Sequence, residues 1–276
     1  MKKIPLTYNI PFNLFSDELR RCIFREFSLN GAKHLVLGTT LIGMTLEDPA
    51  LLKKVSTEMA DAGLSFCDSH APYGHHWDMG CVFEDERPAH LSRLKTVIDT
   101  VAYFNVKTMT IHMGIPSEGV TPEKHFSNVC STLEQLLPYA EERGIIICVE
   151  NTFAWRGYPE KLFRLKEMFP TDTLGYCFDA GHANMTTKPE TLEKAPLDTF
   201  GFLENMLPHI VNCHIHDNDG MHDMHTLPGR GCGQWQKLIP ILKSAPRLHS
   251  VQCEVHMALN DIAVRELVET FEKLFH

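Results

Sequence analysis

Carboxylate and imidazole side chains recur at one kind of place in this chain: the last residues of short apolar runs. One run ends in CFDAGH, which puts Asp179 at its tip and His182 three residues on. The next ends in HIHDND, giving His214 and His216, with Asp223 and His225 just beyond in DMH. Four other runs end the same way, with His70 in DSHAPY, His112 in TIHMG, Glu150 in CVENTF and Glu254 in QCEVH. A single strand-end histidine is ordinarily a hydrogen-bonded core residue, and a single strand-end glutamate a solvated rim charge. Six consecutive runs ending in metal-competent groups describe a site for a divalent cation. Mixed oxygen and nitrogen ligation suits Mn²⁺, Mg²⁺ or Co²⁺ and admits Zn²⁺. A cation between Glu150 and Glu254 would offset the repulsion and desolvation of two buried carboxylates.

The elements that must position these groups alternate regularly. The apolar runs cover Ile4–Tyr8, His34–Leu37, Leu64–Ser69, Thr108–His112, Ile145–Glu150, Leu174–Asp179, Ile210–His216 and Ser250–Val255. Between them lie amphipathic segments. The first is capped by Ser16 and stops at Asn30-Gly31, and others are expected over Asp48–Ala62, Pro122–Arg143, Pro159–Phe169, Glu190–Leu207 and Trp235–Ala245. Leu91, Leu94, Ile98 and Val101 share one stripe, as do Val264, Leu267, Val268, Phe271 and Leu274. Near-continuous apolar strands imply a parallel sheet covered on both faces. Eight strand-then-helix units, with no Gly/Pro/Ser-rich linker between them, favour a single (β/α)8 TIM barrel, an α/β domain over residues 1–276. An open doubly wound sheet is the competing arrangement, weakened by the lack of a glycine-rich phosphate loop after the first run. In such barrels catalytic groups sit at the C-terminal strand ends, where these residues fall.

Composition narrows the partners. The net charge is −9 with no Lys/Arg block, so no nucleic acid partner is expected. No window has the apolar length of a membrane span, and residues 1–15 lack the apolar stretch of a signal peptide. The nine cysteines are irregularly spaced, several inside apolar runs, which points to a reduced, cytoplasmic setting.

From Leu64 to Glu254 the ordered motifs resemble the xylose-isomerase-like barrel superfamily, which holds sugar and sugar-phosphate isomerases and epimerases together with endonuclease IV. The resemblance implies metal ligands at Glu150, Asp179, His216 and Glu254, with His216 preferred to His214 because a short acidic turn, Asp217-Asn218-Asp219, follows it. It implies that Glu150 and Glu254 are also the acid/base pair and that His182 contacts substrate. The additional ligands of a three-zinc, endonuclease IV-type centre would fall on His70, His112, His182, Asp223 and His225, with Pro228-Gly229-Arg230-Gly231 close behind. His225 stands where sugar 3-epimerases often carry an arginine, so it joins the candidate substrate contacts. Trp155 and Arg156, just past Glu150, are candidates as a pocket wall and an anion contact.

The expected activity is a metal-dependent isomerase or epimerase acting on a sugar or sugar phosphate, with proton transfer through an enediolate. A trinuclear-zinc phosphodiesterase and a dehydratase on the same barrel are the alternatives, and a binding-only barrel is the non-enzymatic one. Members of this superfamily are often dimers or tetramers, so a homo-oligomer is open, although no interface is marked in the sequence.

Overall fold

The computed structural model describes residues 3–80, 84–152, 158–188 and 191–276. Eight parallel strands close into a barrel in sequence order: β1 (Leu6–Tyr8), β2 (His34–Leu37), β3 (Ser65–His70), β4 (Thr108–Ile111), β5 (Ile146–Glu150), β6 (Leu174–Asp179), β7 (Ile210–Ile215) and β8 (Ser250–Cys253). Closure is made by β1 against β8, with Leu6, Thr7 and Tyr8 opposite Val251, Gln252 and Cys253. The fold is a (β/α)8 barrel. No helix among the described residues is long and apolar enough to cross a membrane.

The outer helices are α1 (Asp17–Leu29), α2 (Thr39–Glu47), α3 (Ala50–Asp61), α4 (Arg87–Tyr103), α5 (Pro122–Glu142), α6 (Tyr158–Met168), α7 (Ala180–Asn184), α8 (Thr199–Met206), α9 (Trp235–Leu242) and α10 (Val264–Phe275). The starts of α1 and α5 follow from capping chemistry. Ser16 Oγ accepts from Leu19 N at 3.3 Å, and Thr121 Oγ1 accepts from Lys124 N at 3.2 Å ahead of Pro122. Gly144 ends the α5 turn at φ +64°, a left-handed conformation that costs a residue without Cβ little.

Two departures from the sequence reading have local causes. The segment Thr39–Glu47 forms α2, filling the space over the barrel with Leu41 and Ile42 fully buried. The helix expected from Glu190 begins only at Thr199, because Pro196 interrupts it and Asp198 Oδ1 caps Gly201 N at 2.8 Å. Ahead of it, Thr187 and Lys194 pair as an antiparallel bridge.

The apolar core lies between strands and helices. The barrel axis, by contrast, is polar. Asp68, Thr108, Thr110, Asn212, His214, Ser250 and Gln252 are all fully buried. Asp68 is satisfied there without a cation, accepting from Thr108 Oγ1 (2.6 Å), Asn212 Nδ2 (2.9 Å), Ser250 Oγ (3.2 Å) and Ser69 N (2.8 Å). A buried carboxylate is tolerable on those terms because each lone pair finds a donor. This column leads from the barrel floor to the site at its mouth.

Candidate metal centre

Strand order brings the candidate ligands together. Asp179 ends β6 and at once caps α7, its Oδ1 accepting from His182 N at 2.6 Å. The aspartate and the histidine three residues on therefore face the same cavity. Glu150 ends β5 and lies among four imidazoles. Its Oε2 is 3.1 Å from His112 Nε2, 3.2 Å from His70 Nε2 and 3.4 Å from His214 Nδ1, while Oε1 is 2.9 Å from His182 Nδ1. Glu254, just past β8, places Oε1 3.2 Å from the same His214 nitrogen.

The loop after β7 delivers Asp223 and His225. Asp217 and Thr226 exchange backbone hydrogen bonds of 2.8 and 3.0 Å, folding the loop back on itself. The Asp217 carboxylate accepts from Gly229 N, Gly231 N, Gly233 N, Asn218 N and Trp235 Nε1 at 2.7–3.1 Å. The glycines of Pro-Gly-Arg-Gly thus wrap a carboxylate of the chain itself. A Cβ on Gly231 would stand 2.2 Å from Asn218 O. His225 sits at φ +46°, held by its Nδ1 at 2.7 Å from the Glu254 carbonyl. Its Nε2 faces Asp223 Oδ2 at 3.2 Å, and its ring stacks on His216 at 3.8 Å and on His256 at 4.2 Å.

The donor set suits a divalent ion. Ligand atoms of His70, His112 and Glu150 lie mutually within 4.8 Å, as do those of Glu150, Asp179 and His182, of His70, His214 and Glu254, and of His182, His216, Asp223 and His225. Asp179 Oδ2, His214 Nδ1 and His216 Nε2 are buried and make no hydrogen bond, an unfavourable state that a cation would relieve. His70 and His225 each direct Nδ1 at a backbone carbonyl, that of Ala71 at 2.7 Å and that of Glu254. A carbonyl only accepts, so Nδ1 carries the hydrogen and Nε2 is the ligating nitrogen, as in metal-binding histidines generally.

Electrostatics follow from this crowding. Burial alone would raise the Glu150 pKa, but the imidazoles of His112 and His214 hold it well below the carboxylate range. Asp179 is held low in the same way, against burial, by His182 and His216. Burial opposes charging of His214, yet Glu254 and Glu150 push it up to about 10. For His225 burial is likewise outweighed, by the Asp223 hydrogen bond and by Glu254, to about 9.

The residues singled out in the sequence fall into place unevenly. His70, His112, Glu150, Asp179, His182, His216, Asp223, His225 and Glu254 share this mouth. Trp155 and Arg156 lie outside the described residues. His75 reaches Ser117 Oγ at 3.3 Å, and Trp77 lies beneath Arg93, with the guanidinium carbon 5.9 Å from its ring centroid. Gln252 does not stand out in the sequence, yet its Nε2 donates to Glu254 Oε1 at 2.6 Å, and His214, to which the resemblance prefers His216, lies between both glutamates. Strand alternation is the signal that finds them, since residues 212, 214 and 216 share one face of β7 and 252 and 254 one face of β8. Above the donors opens a cavity of about 1110 Å³ whose walls include Tyr73, Phe126, Lys161, Lys188 and His256.

A family model described as xylose isomerase-like TIM barrel matches residues 34–273. The chain belongs to this family. The uncharacterized protein MJ1311 of Methanocaldococcus jannaschii is 30% identical over 171 residues, 59% of this chain and 55% of that one. The chain spans about half the length of the curated relatives it matches. A D-tagatose 3-epimerase-like protein superposes with a TM-score of 0.76 at 20% identity, covering 97% of this chain and 95% of that one. The TTHB071 protein of Thermus thermophilus, from a crystal soaked with ZnCl2, gives a TM-score of 0.70 at 23% identity over 98% of both chains. Identities at this level speak for the fold.

Proposed function

We propose that this member of the xylose isomerase-like family is a divalent-metal-dependent isomerase or epimerase of a sugar or sugar phosphate. The observation that carries the reading is that Glu150 and Glu254, from strands well apart around the barrel, both reach the His214 imidazole at one buried mouth, with Asp179 beside them. Likeness to a D-tagatose 3-epimerase-like protein supports the reaction class.

Glu150, Asp179, Glu254 and the imidazoles beside them would hold the ion. Bound there, the ion would supply Lewis-acid polarisation of a carbonyl and its neighbouring hydroxyl. The chain does the remainder. One glutamate takes the carbon-bound proton, and the other returns a proton to the opposite face of that carbon or to the adjacent atom. Glu254 is kept in position by Gln252, and Glu150 by Tyr158, whose hydroxyl donates to the Glu150 carbonyl at 2.9 Å. His182 and His225 line the cavity where substrate hydroxyls would lie. Burial of the carboxylates strengthens each electrostatic contact and keeps bulk water from competing for the proton.

A second reading is favoured by one feature. The donors form several overlapping groups, and His182, Asp223 and His225 lie on the far side of Glu150 from His112. Several ions side by side suit hydrolysis of a phosphoester, with endonuclease IV-type chemistry the example. Metal analysis of the purified protein, coupled to a ketohexose and pentose panel read by NMR, separates the two. Sugar conversion dependent on divalent metal supports the first; three tightly held zinc ions with cleavage of abasic DNA and no sugar turnover would replace it with the second.

A further inference from the structure

We infer that His214 is itself a ligand, through Nδ1, of the ion shared by Glu150, Asp179 and Glu254. The inference rests on the reading of this mouth as a metal-dependent site and assigns one of its donors. His214 is fully buried on β7, and its Nδ1 points at three carboxylates at once: Glu254 Oε1 at 3.2 Å, Glu150 Oε2 at 3.4 Å and Asp179 Oδ2 at 3.6 Å. With none of them does it make a hydrogen bond. One N–H cannot serve three acceptors in three directions, and a charge-assisted bond to any one would draw in to roughly 2.7–2.9 Å. Donors bound to one ion at about 2.0–2.2 Å instead stand roughly 3.0–3.5 Å apart. The observed separations fall in or next to that range.

The other face of the ring is prepared for the same role. His214 Nε2 lies 3.4 Å from Thr110 Oγ1. Asn212 Nδ2 donates to that hydroxyl at 3.0 Å and to Asp68 at 2.9 Å. Asp68 is anchored in turn by Thr108 and Ser250. Nε2–H directed at Thr110 leaves the Nδ1 lone pair facing the carboxylates, and the column beneath fixes the ring. Ligating histidines characteristically give their second nitrogen to such a partner.

The assignment also divides the labour of two histidines on one strand. His216 Nε2 faces the other Asp179 oxygen, Oδ1, at 3.2 Å, and groups with His182, Asp223 and His225. Asp179 therefore stands between His214 and His216, with one oxygen toward each.

The test uses Co²⁺ alone as probe, with the full chain, reading affinity by titration and histidine coordination by the exchangeable, hyperfine-shifted imidazole N–H signals in NMR. Wild type is expected to bind Co²⁺ and to show a slowly exchanging N–H from His214 Nε2, buried against Thr110. His214→Leu should lose that signal and weaken one binding step by at least ~100-fold, the upper end of what a lost partner of a metal ligand costs. Thr110→Val should keep the ion but weaken it roughly 10–100-fold, the effect typical of removing a ligand's outer partner, and shift the same signal. Should His214→Leu prevent folding, the Thr110→Val result decides: unchanged affinity and an unchanged N–H spectrum would overturn the assignment. A folded His214→Leu protein with wild-type Co²⁺ affinity and all signals retained overturns it alone, leaving the metal-dependent reading intact. A wild-type chain that takes up no Co²⁺ overturns both.

Discussion

Gln252 Nε2 donates to Glu254 Oε1 at 2.6 Å from two residues back on the same side of β8, and Gln252 is fully buried. The contact gives one carboxylate of the proposed acid/base pair a fixed direction. Gln252→Leu should leave that oxygen without its amide donor, costing about 1–3 kcal/mol of stability in urea unfolding. It should also weaken divalent-metal binding roughly 10–100-fold by calorimetry. An unchanged metal affinity would mean that Glu254 does not depend on Gln252 for its orientation.

The two glutamates should respond differently to neutralisation. Glu150 lies among four imidazoles, so Glu150→Gln should lose both metal and activity. Glu254→Gln removes a proton carrier at the edge of the donor set, and turnover should fall by at least ~10²–10⁴-fold, the usual worth of a general acid or base. The comparison is read by metal analysis of each variant beside its sugar-converting rate.

Metal uptake should expel protons. In the metal-free chain His214 is pushed up to about 10 and His225 up to about 9, so both are charged at neutral pH, and an ion can use only a deprotonated nitrogen. Apparent affinity should therefore climb with pH and level off above about 10. The linkage to stability has two arms. Raised histidine pKa values stabilise the metal-free fold below the unfolded value of 6.5, and that contribution disappears as pH rises through about 9 to 10. The depressed pKa values of Glu150 and Asp179 stabilise it above the ordinary carboxylate range, and that contribution is lost as pH falls below it. Calorimetry at about pH 7.5, in buffers of different ionisation enthalpy, counts the protons released. A count of zero there would contradict this electrostatic picture.

The loop after β7 hangs on one carboxylate. Asp217 accepts from three glycine amides and the Trp235 indole, and a Cβ on Gly231 would stand 2.4 Å from Asp217 Oδ1. Gly231→Ala should displace Asp223 and His225 and lower the metal content bound per chain, while the barrel stays folded by circular dichroism. Trp235→Phe, which removes one donor and keeps the packing, should cost about 1–3 kcal/mol and have the milder effect on metal content.

Most of the architecture can be read from the chain because it is repetitive. Each strand carries an apolar face toward the helices, and six of the eight end on or just before a ligand-type residue at the mouth, so the string CVE, CFD, HIH, QCE announces both barrel and site. Gln252 is harder to see, and His214 reads as second to His216. They sit inside apolar runs, two residues before the ends, where a polar side chain reads as core until alternation is applied to the barrel interior. The Pro-Gly-Arg-Gly turn reads as support for a metal; its direct partner, Asp217, lies 12–16 residues away from the amides it binds and comes near them only through the fold-back at Thr226. The helix expected from Glu190 fails on Pro196 and the Asp198 cap, local signals that an apolar stripe masks. The segment 39–47 has no polar face to announce a helix, so α2 emerges only from packing.

Solvent-deuterium exchange decides whether this mouth moves a carbon-bound proton. The protein, loaded in turn with Mn²⁺, Co²⁺, Mg²⁺ and Zn²⁺, is incubated in D2O with a panel of ketohexoses, pentuloses and their phosphates, and carbon-bound deuterium is followed by NMR. Incorporation is expected at a carbon next to the carbonyl of at least one sugar, abolished by chelation and by Glu254→Gln. No exchange into any of these sugars by a metal-loaded, folded protein would mean that Glu150 and Glu254 are not an acid/base pair for a carbon-bound proton.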